Sequence, residues 1–209
     1  MLGIVFTGGL GPDRDEVEPY LQRASWIVAA DSGLLLAENL GVEPNIILGD
    51  MDSIPDRTIL KKYPKAEIRE YPRDKDYTDT ELALQSLYSL GCTEYILVGG
   101  GGGRLDHLLG IVSLFYRSKP PSRWFTHNEE VVYIEDCLEI GGLQGRKVTF
   151  MPVSLEECRM KTEGLKWPLN SLRWRTGDIG ISNIVVSDPV RVSMIQGRLI
   201  LIIPKRMYG

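Results

Sequence analysis

The sequence predicts a two-part protein: an α/β domain on a mostly parallel, Rossmann-like sheet with flanking helices, then a smaller antiparallel, β-sandwich-like domain. Apolar runs alternate with helical patterns as far as Arg117. A proline-containing break follows at residues 119–122, and only short β-rich segments come after it. Alternation of strands and helices is typical of parallel sheets, whereas consecutive strands favour antiparallel ones. The domains are expected to span residues 1–128 and 129–209.

The strands of the first domain are predicted from short apolar runs that end in polar or glycine-rich turns. These runs are residues 3–6, 26–30, 46–48 and 95–98. The helices are predicted from apolar residues at helical spacing, over residues 13–23, 33–40, 78–90 and 105–117. Because each strand is followed by a helix, we expect a sheet covered on both faces.

The second part begins where Pro120 and Pro121 end the last helical pattern, since proline cannot continue a helix. The β-rich segments that follow are residues 124–127, 131–135, 147–152, 178–186, 190–196 and 199–203. Glycine, asparagine and proline separate them, and no long helical pattern intervenes. We therefore expect a small antiparallel sheet or sandwich.

Composition is that of an ordinary globular protein, with 209 residues, 43% hydrophobic and 25% charged. A net charge of −4 gives no basic surface of the kind that nucleic-acid binding needs, so nucleic acid is not an expected partner. The apolar N-terminal residues 1–6 are too short to span a membrane, and no membrane partner is expected. Cys92, Cys137 and Cys158 form no metal-binding pattern and are interpreted as reduced packing residues of a cytoplasmic protein.

Three aspartates follow the predicted strands. Asp50 and Asp52 come directly after the run at residues 46–48, and in an extended chain residues i and i+2 face the same side. They are therefore expected to approach one cation together, although an aspartate-rich turn explains this pair equally well. Asp31 follows residues 26–30 and directly precedes a helix. It supplies a further carboxylate at the same edge of the sheet, where ligands of α/β proteins bind.

A fourth aspartate lies at the start of the third predicted helix. Thr78 and Glu81 are spaced as a capping box, and Asp79 would lie at the positive end of the helix dipole. Capping accounts for these residues structurally. The same helix start can also hold a metal or a phosphate, so both interpretations stay open.

Five consecutive glycines, residues 99–103, connect the strand at 95–98 to the next helix. Such a turn allows backbone N–H groups to approach phosphates, and Arg104 adds a planar cation that suits phosphate oxygens. A merely flexible turn is the alternative. Neither the P-loop nor the dinucleotide-binding motif occurs in the chain.

The combination of these motifs resembles the thiamine pyrophosphokinase family. Four segments occur in the order seen there: residues 30–33, 49–53, 74–79 and 102–107. Residues 164–169 and 180–183 resemble the vitamin-binding segments of that family. The resemblance implies transfer of pyrophosphate from ATP to thiamine with release of AMP. It also implies a homodimer formed through the C-terminal β domain.

The resemblance also implies a role for individual residues. Asp50, Asp52 and Asp79 would hold one or two Mg²⁺ ions, with Asp31 as a further ligand or a holder of metal-bound water. ATP would contact Gly33, Lys75, Asp76, Thr78, Gly101, Gly102, Gly103, Arg104 and Asp106. Thiamine would stack on Trp167, although without the resemblance a lone tryptophan more often serves in packing. Ser182 and Asn183 would bind its aminopyrimidine, although a polar turn explains these two residues equally well without the resemblance.

The chain departs from the family pattern at Ser32, Met51 and Lys75, where many relatives have glycine, an aromatic residue and glutamine. None of these changes removes a carboxylate. Two alternative functions stay open: a pyrophosphokinase for another alcohol, such as 6-hydroxymethylpterin, and a non-catalytic nucleotide or thiamine sensor. The vitamin-binding segments favour thiamine over the pterin, and the four aspartates favour an enzyme over a sensor.

Overall fold

A computed structural model describes residues 1–205 of the chain. The chain divides into two compact units that interleave in sequence. The first unit contains Met1–Ile111 and Arg123–His127; the second contains Val112–Ser122 and the chain from Asn128 onward. The expected domain boundary after residue 128 stays a prediction.

Six parallel strands form the sheet of the first unit, in the order β6-β5-β1-β2-β3-β4. They are β1 Leu2–Phe6, β2 Ala24–Ala30, β3 Ile46–Gly49, β4 Glu67–Glu70, β5 Glu94–Val98 and β6 Arg123–Phe125. Every residue of β1 and β3 is buried, as expected for strands with both faces covered. The predicted parallel sheet is confirmed, and β6 joins it although its pattern was grouped with the second part.

The α-helices within residues 1–205 are α1 Arg14–Leu21, α2 Gly33–Asn39, α3 Asp79–Ser89 and α4 Leu105–Leu114. All four were predicted, and each is shorter than its sequence pattern. The core of the first unit forms between helices and sheet around Phe6, Leu34, Ile47 and Ile96. A 3₁₀ helix at Arg57–Lys62 and strand β4 were not predicted, because β4 consists of mostly exposed residues without an apolar run.

The second unit contains two antiparallel groups of strands, β11-β9-β13-β7 and β10-β12-β8. These strands are β7 Glu129–Ile134, β8 Cys137–Ile140, β9 Lys147–Pro152, β10 Arg159–Glu163, β11 Gly180–Ile184, β12 Val190–Gln196 and β13 Leu199–Pro204. Phe150, Met160, Val192 and Leu201 from both groups form one core. The predicted sandwich-like β domain is thereby confirmed, with β8 and β10 as additional strands.

All three cysteines are free, and Cys92 and Cys158 are buried. Cys137 is exposed, so its interpretation as a packing residue is wrong. Within residues 1–205, no helix has both the length and the apolar character needed to cross a membrane.

Candidate active site

In the sheet of the first unit, the order in which successive strands are added reverses at β1. Strands β2, β3 and β4 follow on one side of β1, whereas β5 and β6 lie on the other. In open α/β sheets, ligands bind beyond the carboxyl ends of the strands at such a switch point. The loops after β1 and β5 are joined there, because Leu10 and Gly101 exchange backbone N–H···O hydrogen bonds of 2.7 and 3.0 Å.

Three carboxylates converge at this edge of the sheet. Asp31 follows β2, Asp50 follows β3, and Asp79 is the first residue of α3. One ligand oxygen from each lies within 4.8 Å of the other two. Oδ1 of Asp31 is buried without a hydrogen-bond partner. A set of hard oxygen donors with an unsatisfied buried atom fits a hard divalent cation such as Mg²⁺.

The backbone around these carboxylates adopts unusual conformations. Asp31 and Met51 have φ angles of +48° and +60°, in the left-handed region that side-chain-bearing residues rarely adopt. At Gly49 φ is +142°, and an added Cβ would lie 3.1 Å from Asp31 Cβ and 3.2 Å from Asp79 Oδ1. Strain of this kind concentrates at functional sites. A glycine is therefore required between the carboxylates of Asp31 and Asp79.

The structure separates Asp52 from this group. Strand β3 ends at Gly49, and the left-handed Met51 breaks the extended geometry that would place Asp50 and Asp52 on one side. The Asp52 side chain is 53% exposed and pairs with Arg73 at 3.5 Å. Its backbone N–H donates a 3.0 Å hydrogen bond to Asp50 Oδ1. The expectation that Asp50 and Asp52 approach one cation side by side is not met, and Asp52 instead orients Asp50.

Lys75 lies among the carboxylates. Its Nζ is 3.2 Å from Asp79 Oδ1 and 3.7 Å from Asp50 Oδ2, and the side chain is only 13% exposed. Burial raises the pKa of the Asp79 carboxyl above its ordinary value; Lys75 opposes this shift, and the charges of Asp50 and Asp31 add to it. Lys75, which was expected from the sequence to contact ATP, is thus the counter-ion of Asp50 and Asp79.

The first three glycines of the loop after β5 already use their N–H groups. Gly99 donates to Phe125 O at 2.9 Å, Gly100 to Gly8 O at 2.9 Å, and Gly101 to Leu10 O at 3.0 Å. Gly101 therefore has no N–H left for a phosphate, contrary to expectation. Gly102 and Gly103 are exposed at the end of the loop. Of the five glycines, Gly102 and Gly103 therefore have the N–H groups that suit a phosphate.

Arg104 and Asp106 form a two-point ion pair at the start of α4. Arg104 Nε lies 3.1 Å from Asp106 Oδ1, and its Nη2 lies 2.5 Å from Oδ2. Hydrogen bonding by Arg104 holds the pKa of Asp106 below its ordinary value. Both side chains are exposed. An exposed guanidinium can turn to another anion, so this geometry keeps Arg104 available for a phosphate.

Other expected ATP contacts have structural tasks. Gly33 is required where α2 meets β1, because an added Cβ would lie 2.1 Å from Phe6 O. The capping box is confirmed: Glu81 N–H donates to Thr78 Oγ1 at 3.3 Å, and Thr78 N–H donates to Glu81 Oε2 at 2.7 Å. Asp76 is exposed.

Two contacts near the acidic group were missed by the sequence reasoning. The hydroxyl groups of Thr7, after β1, and Thr80, in the first turn of α3, lie 2.8 Å apart in a hydrogen bond. A Cβ on Gly8 would lie 2.2 Å from Ser32 Oγ, so the loop after β1 packs closely against Ser32. The sequence contains a signal for these contacts, because Thr7 and Gly8 follow a buried strand just as Asp31 does.

The second unit presents Trp167 as a separate candidate surface. This side chain is 53% exposed, and Lys166 Nζ lies 4.8 Å from the centre of its ring. An aromatic face attracts cations, and here a neighbouring lysine supplies one. An exposed tryptophan whose ring already contacts a cation can also stack with a cationic heterocycle.

Asn183 holds the backbone of Trp167. Its Oδ1 accepts from Trp167 N–H at 3.2 Å, and its Nδ2 donates to Trp167 O at 2.7 Å. The residue is only 5% exposed. Asn183 therefore positions Trp167, whereas the sequence reasoning expected a ligand contact. Ser182 is exposed with φ +61°, and its N–H donates to Thr149 Oγ1 at 3.3 Å.

Two family models together match most of the chain. The model "Thiamin pyrophosphokinase, catalytic domain" matches residues 17–125, and "Thiamin pyrophosphokinase, vitamin B1 binding domain" matches residues 133–199. The chain belongs to the thiamin pyrophosphokinase family.

Curated members of the thiamin pyrophosphokinase family show the same relationship. Thiamine pyrophosphokinase 1 of rice is 30% identical over 174 residues, covering 72% of this chain and 62% of the rice protein. The thiamine pyrophosphokinase of Bacillus subtilis is 27% identical over 199 residues, covering 85% and 86%. The chain thus spans less than two thirds of the plant relative and most of the bacterial one.

Solved structures of the thiamin pyrophosphokinase family share the fold. The structure of thiamine pyrophosphokinase from Bacillus subtilis has a TM-score of 0.80 at 25% identity, with 99% of both chains covered. A family protein from Enterococcus faecalis has a TM-score of 0.79 at 20% identity, covering 98% of this chain and 99% of that one. The second likeness bears on the fold alone.

The first prediction concerns the cost of burying Asp79. In metal-free protein at pH 7, Asp79→Asn should raise the free energy of unfolding by about 1 kcal/mol, because the fold disfavours the ionised carboxyl. The gain should shrink as the pH falls through the raised pKa, where wild-type Asp79 becomes protonated. Urea unfolding in EDTA measures it, with the exposed Asp76→Asn as control. A less stable Asp79→Asn at pH 7 would contradict this account.

The second prediction concerns the amide of Asn183. Asn183→Leu removes both hydrogen bonds to Trp167 and should lower the free energy of unfolding by roughly 1–3 kcal/mol. The neighbouring exposed Ser182→Ala should change it by less than about 0.5 kcal/mol. Urea unfolding of the two variants compares them. Equal stability of Asn183→Leu and wild type would show that the amide does not hold Trp167.

Proposed function

We propose that this protein catalyses Mg²⁺-dependent transfer of pyrophosphate from ATP to the hydroxyl of thiamine, giving thiamine diphosphate and AMP. The observation that carries the proposal is the convergence of Asp31, Asp50 and Asp79 at the carboxyl edge of a parallel sheet. Membership of the thiamin pyrophosphokinase family supports the choice of donor and acceptor. Among the alternatives, neither a pterin pyrophosphokinase nor a sensor is favoured by an observation on this chain.

Pyrophosphoryl transfer asks the protein mainly for positioning and charge. The attacking hydroxyl has to lie in line with the β-phosphorus, and the triphosphate charge has to be neutralised. Asp31, Asp50 and Asp79 would hold Mg²⁺, which when bound supplies that neutralisation. Asp52 N–H fixes the orientation of Asp50 through its hydrogen bond to Oδ1. The fold thus presets the ligand oxygens before any substrate arrives.

The triphosphate would be held at the switch point of the sheet. Gly102 and Gly103 lie at the exposed end of the loop after β5, next to Arg104. Arg104 would exchange Asp106 for phosphate oxygens of ATP, keeping two-point geometry in both states. Because both charges are already exposed to water, breaking this ion pair costs little free energy.

A carboxylate at the edge of the metal site would receive the proton of the thiamine hydroxyl. Asp50 is engaged by the Asp52 N–H and by Lys75. Asp52 is exposed and lies outside the three-acid group, so we assign it the proton-accepting role. This differs from the metal-ligand role expected from the sequence.

Thiamine would stack on the face of Trp167 that Lys166 now covers. The cationic thiazolium ring would displace the ammonium of the exposed Lys166. Ser182 would offer its hydroxyl to the aminopyrimidine, while Asn183 would keep Trp167 in place. We also propose a homodimer formed through the second unit, where Ile181 and Val186 are exposed apolar residues. Three free cysteines support a cytoplasmic location.

The third prediction is the activity itself. Purified protein with ATP, Mg²⁺ and thiamine should form AMP and thiamine diphosphate in equal amounts, measured by liquid chromatography. Parallel reactions with 6-hydroxymethylpterin should form no AMP. AMP produced only with the pterin would contradict the acceptor, and thiamine binding without AMP would indicate a sensor.

The fourth prediction separates Asp50 from Asp52. Asp50→Asn should lower both kcat and Mn²⁺ affinity, because it removes one of the three converging ligands. Asp52→Asn should lower kcat roughly 10²-fold or more while leaving Mn²⁺ affinity within about twofold, since its task is proton transfer. Steady-state kinetics and Mn²⁺ titration give the two readings. An Asp52→Asn variant that loses Mn²⁺ affinity would return Asp52 to the metal site.

A further inference from the structure

Lys75 places a cation inside the group of carboxylates that would bind a metal. Its ammonium contacts Asp79 at 3.2 Å and Asp50 at 3.7 Å, and it donates a third contact of 3.2 Å to Pro72 O. The side chain is 13% exposed, so these contacts are shielded from water. An ammonium with one carbonyl hydrogen bond and two carboxylates within 3.7 Å is electrostatically stabilised where it lies.

The charges of this group leave room for one divalent ion. Asp31, Asp50 and Asp79 contribute three negative charges when ionised, and Lys75 contributes one positive charge. The remaining charge of −2 is balanced by a single divalent cation. A second divalent ion would leave an excess of positive charge in a partly buried site, which is costly.

We propose that Lys75 is a tethered counter-cation of Asp50 and Asp79 that competes with the divalent cation and limits the three-acid group to one such ion. This inference rests on the metal site of the proposed function. The incoming ion and the ammonium need the same carboxylates, so metal binding weakens the contacts of Lys75. The flexible four-carbon stem of lysine lets the ammonium shift within the group, where its charge still counts, without a change in the backbone.

The competition sets the cation affinity of the resting protein. With Lys75 present, the divalent ion has to displace an existing favourable charge pair. With an uncharged glutamine at this position, the carboxylates would repel one another until a metal binds. Removal of the ammonium should therefore strengthen metal binding, whereas loss of a direct ligand would weaken it. This sign distinguishes a competing cation from a residue that merely supports the site.

The fifth prediction tests this with Mn²⁺ alone, without nucleotide or thiamine. Electron paramagnetic resonance of free Mn²⁺ should report one site in the full-length wild type. Lys75→Gln should bind Mn²⁺ about tenfold more tightly, because a unit charge a few ångströms from the ion is removed. Lys75→Arg keeps the charge and should bind no more tightly than wild type. Lys65→Gln is the matched control and should bind as wild type, because Lys65 precedes β4 and so lies at the opposite edge of the sheet.

Thermal unfolding gives a second reading that does not depend on titration. In EDTA, Lys75→Gln should melt below wild type, because three carboxylates then lack a counter-cation. Saturating Mn²⁺ should raise the melting temperature of Lys75→Gln more than that of wild type. Equal or weaker Mn²⁺ affinity in Lys75→Gln, two ions in wild type, or no Mn²⁺ binding in either protein would overturn the proposal.

The two proposals fail separately. Tighter Mn²⁺ binding by Lys75→Gln without any thiamine diphosphate formation by wild type would uphold the role of Lys75 and reject the activity. Thiamine diphosphate formation with unchanged Mn²⁺ affinity in Lys75→Gln would do the reverse.

Discussion

The close approach of Asp31, Asp50 and Asp79 is the constraint on which the candidate site of the first unit depends. Their ligand oxygens lie within 4.8 Å of one another, and burial raises the pKa of Asp79. Such a group is unfavourable unless charges and donors compensate it. Lys75 supplies the charge, and the N–H of Asp52 supplies a donor to Asp50. Gly49 provides the space between two of the carboxylates.

The parallel sheet makes this arrangement possible. Strands β2 and β3 are neighbours in register, so the residues that follow them emerge side by side. Asp31 N–H donates to Leu48 O at 2.8 Å, which ties the first acid to the strand that carries the second. Helix α3 brings Asp79 to the same edge, with its start held by the Thr78–Glu81 capping box. A rigid frame thus holds like charges together, which is typical of sites that bind a cation.

Strand-end reasoning from the sequence was sufficient for much of this site. It placed Asp31 and Asp50 correctly because parallel strands end at one edge, and the capping box located the start of α3. It did not predict the backbone geometry between Asp50 and Asp52, because nothing in the residue types signals the left-handed Met51. It also assigned Gly101 and Asn183 to ligands, since hydrogen bonds to Leu10 and Trp167 depend on tertiary contacts that residue patterns do not contain. Strand β4 was missed because its charged residues carry no apolar signal.

We propose that Asp31, Asp50 and Asp79 form the cation site and that Asp52 lies outside it. Anomalous diffraction from crystals soaked in Mn²⁺ tests it most directly, because the signal locates the ion independently of the surrounding protein density. We expect one peak within about 2.0–2.5 Å of a carboxylate oxygen from each of the three acids. We also expect Lys75 Nζ to have moved away from Asp79. A peak on Asp52, two peaks, or an unmoved Lys75 would be the opposite result.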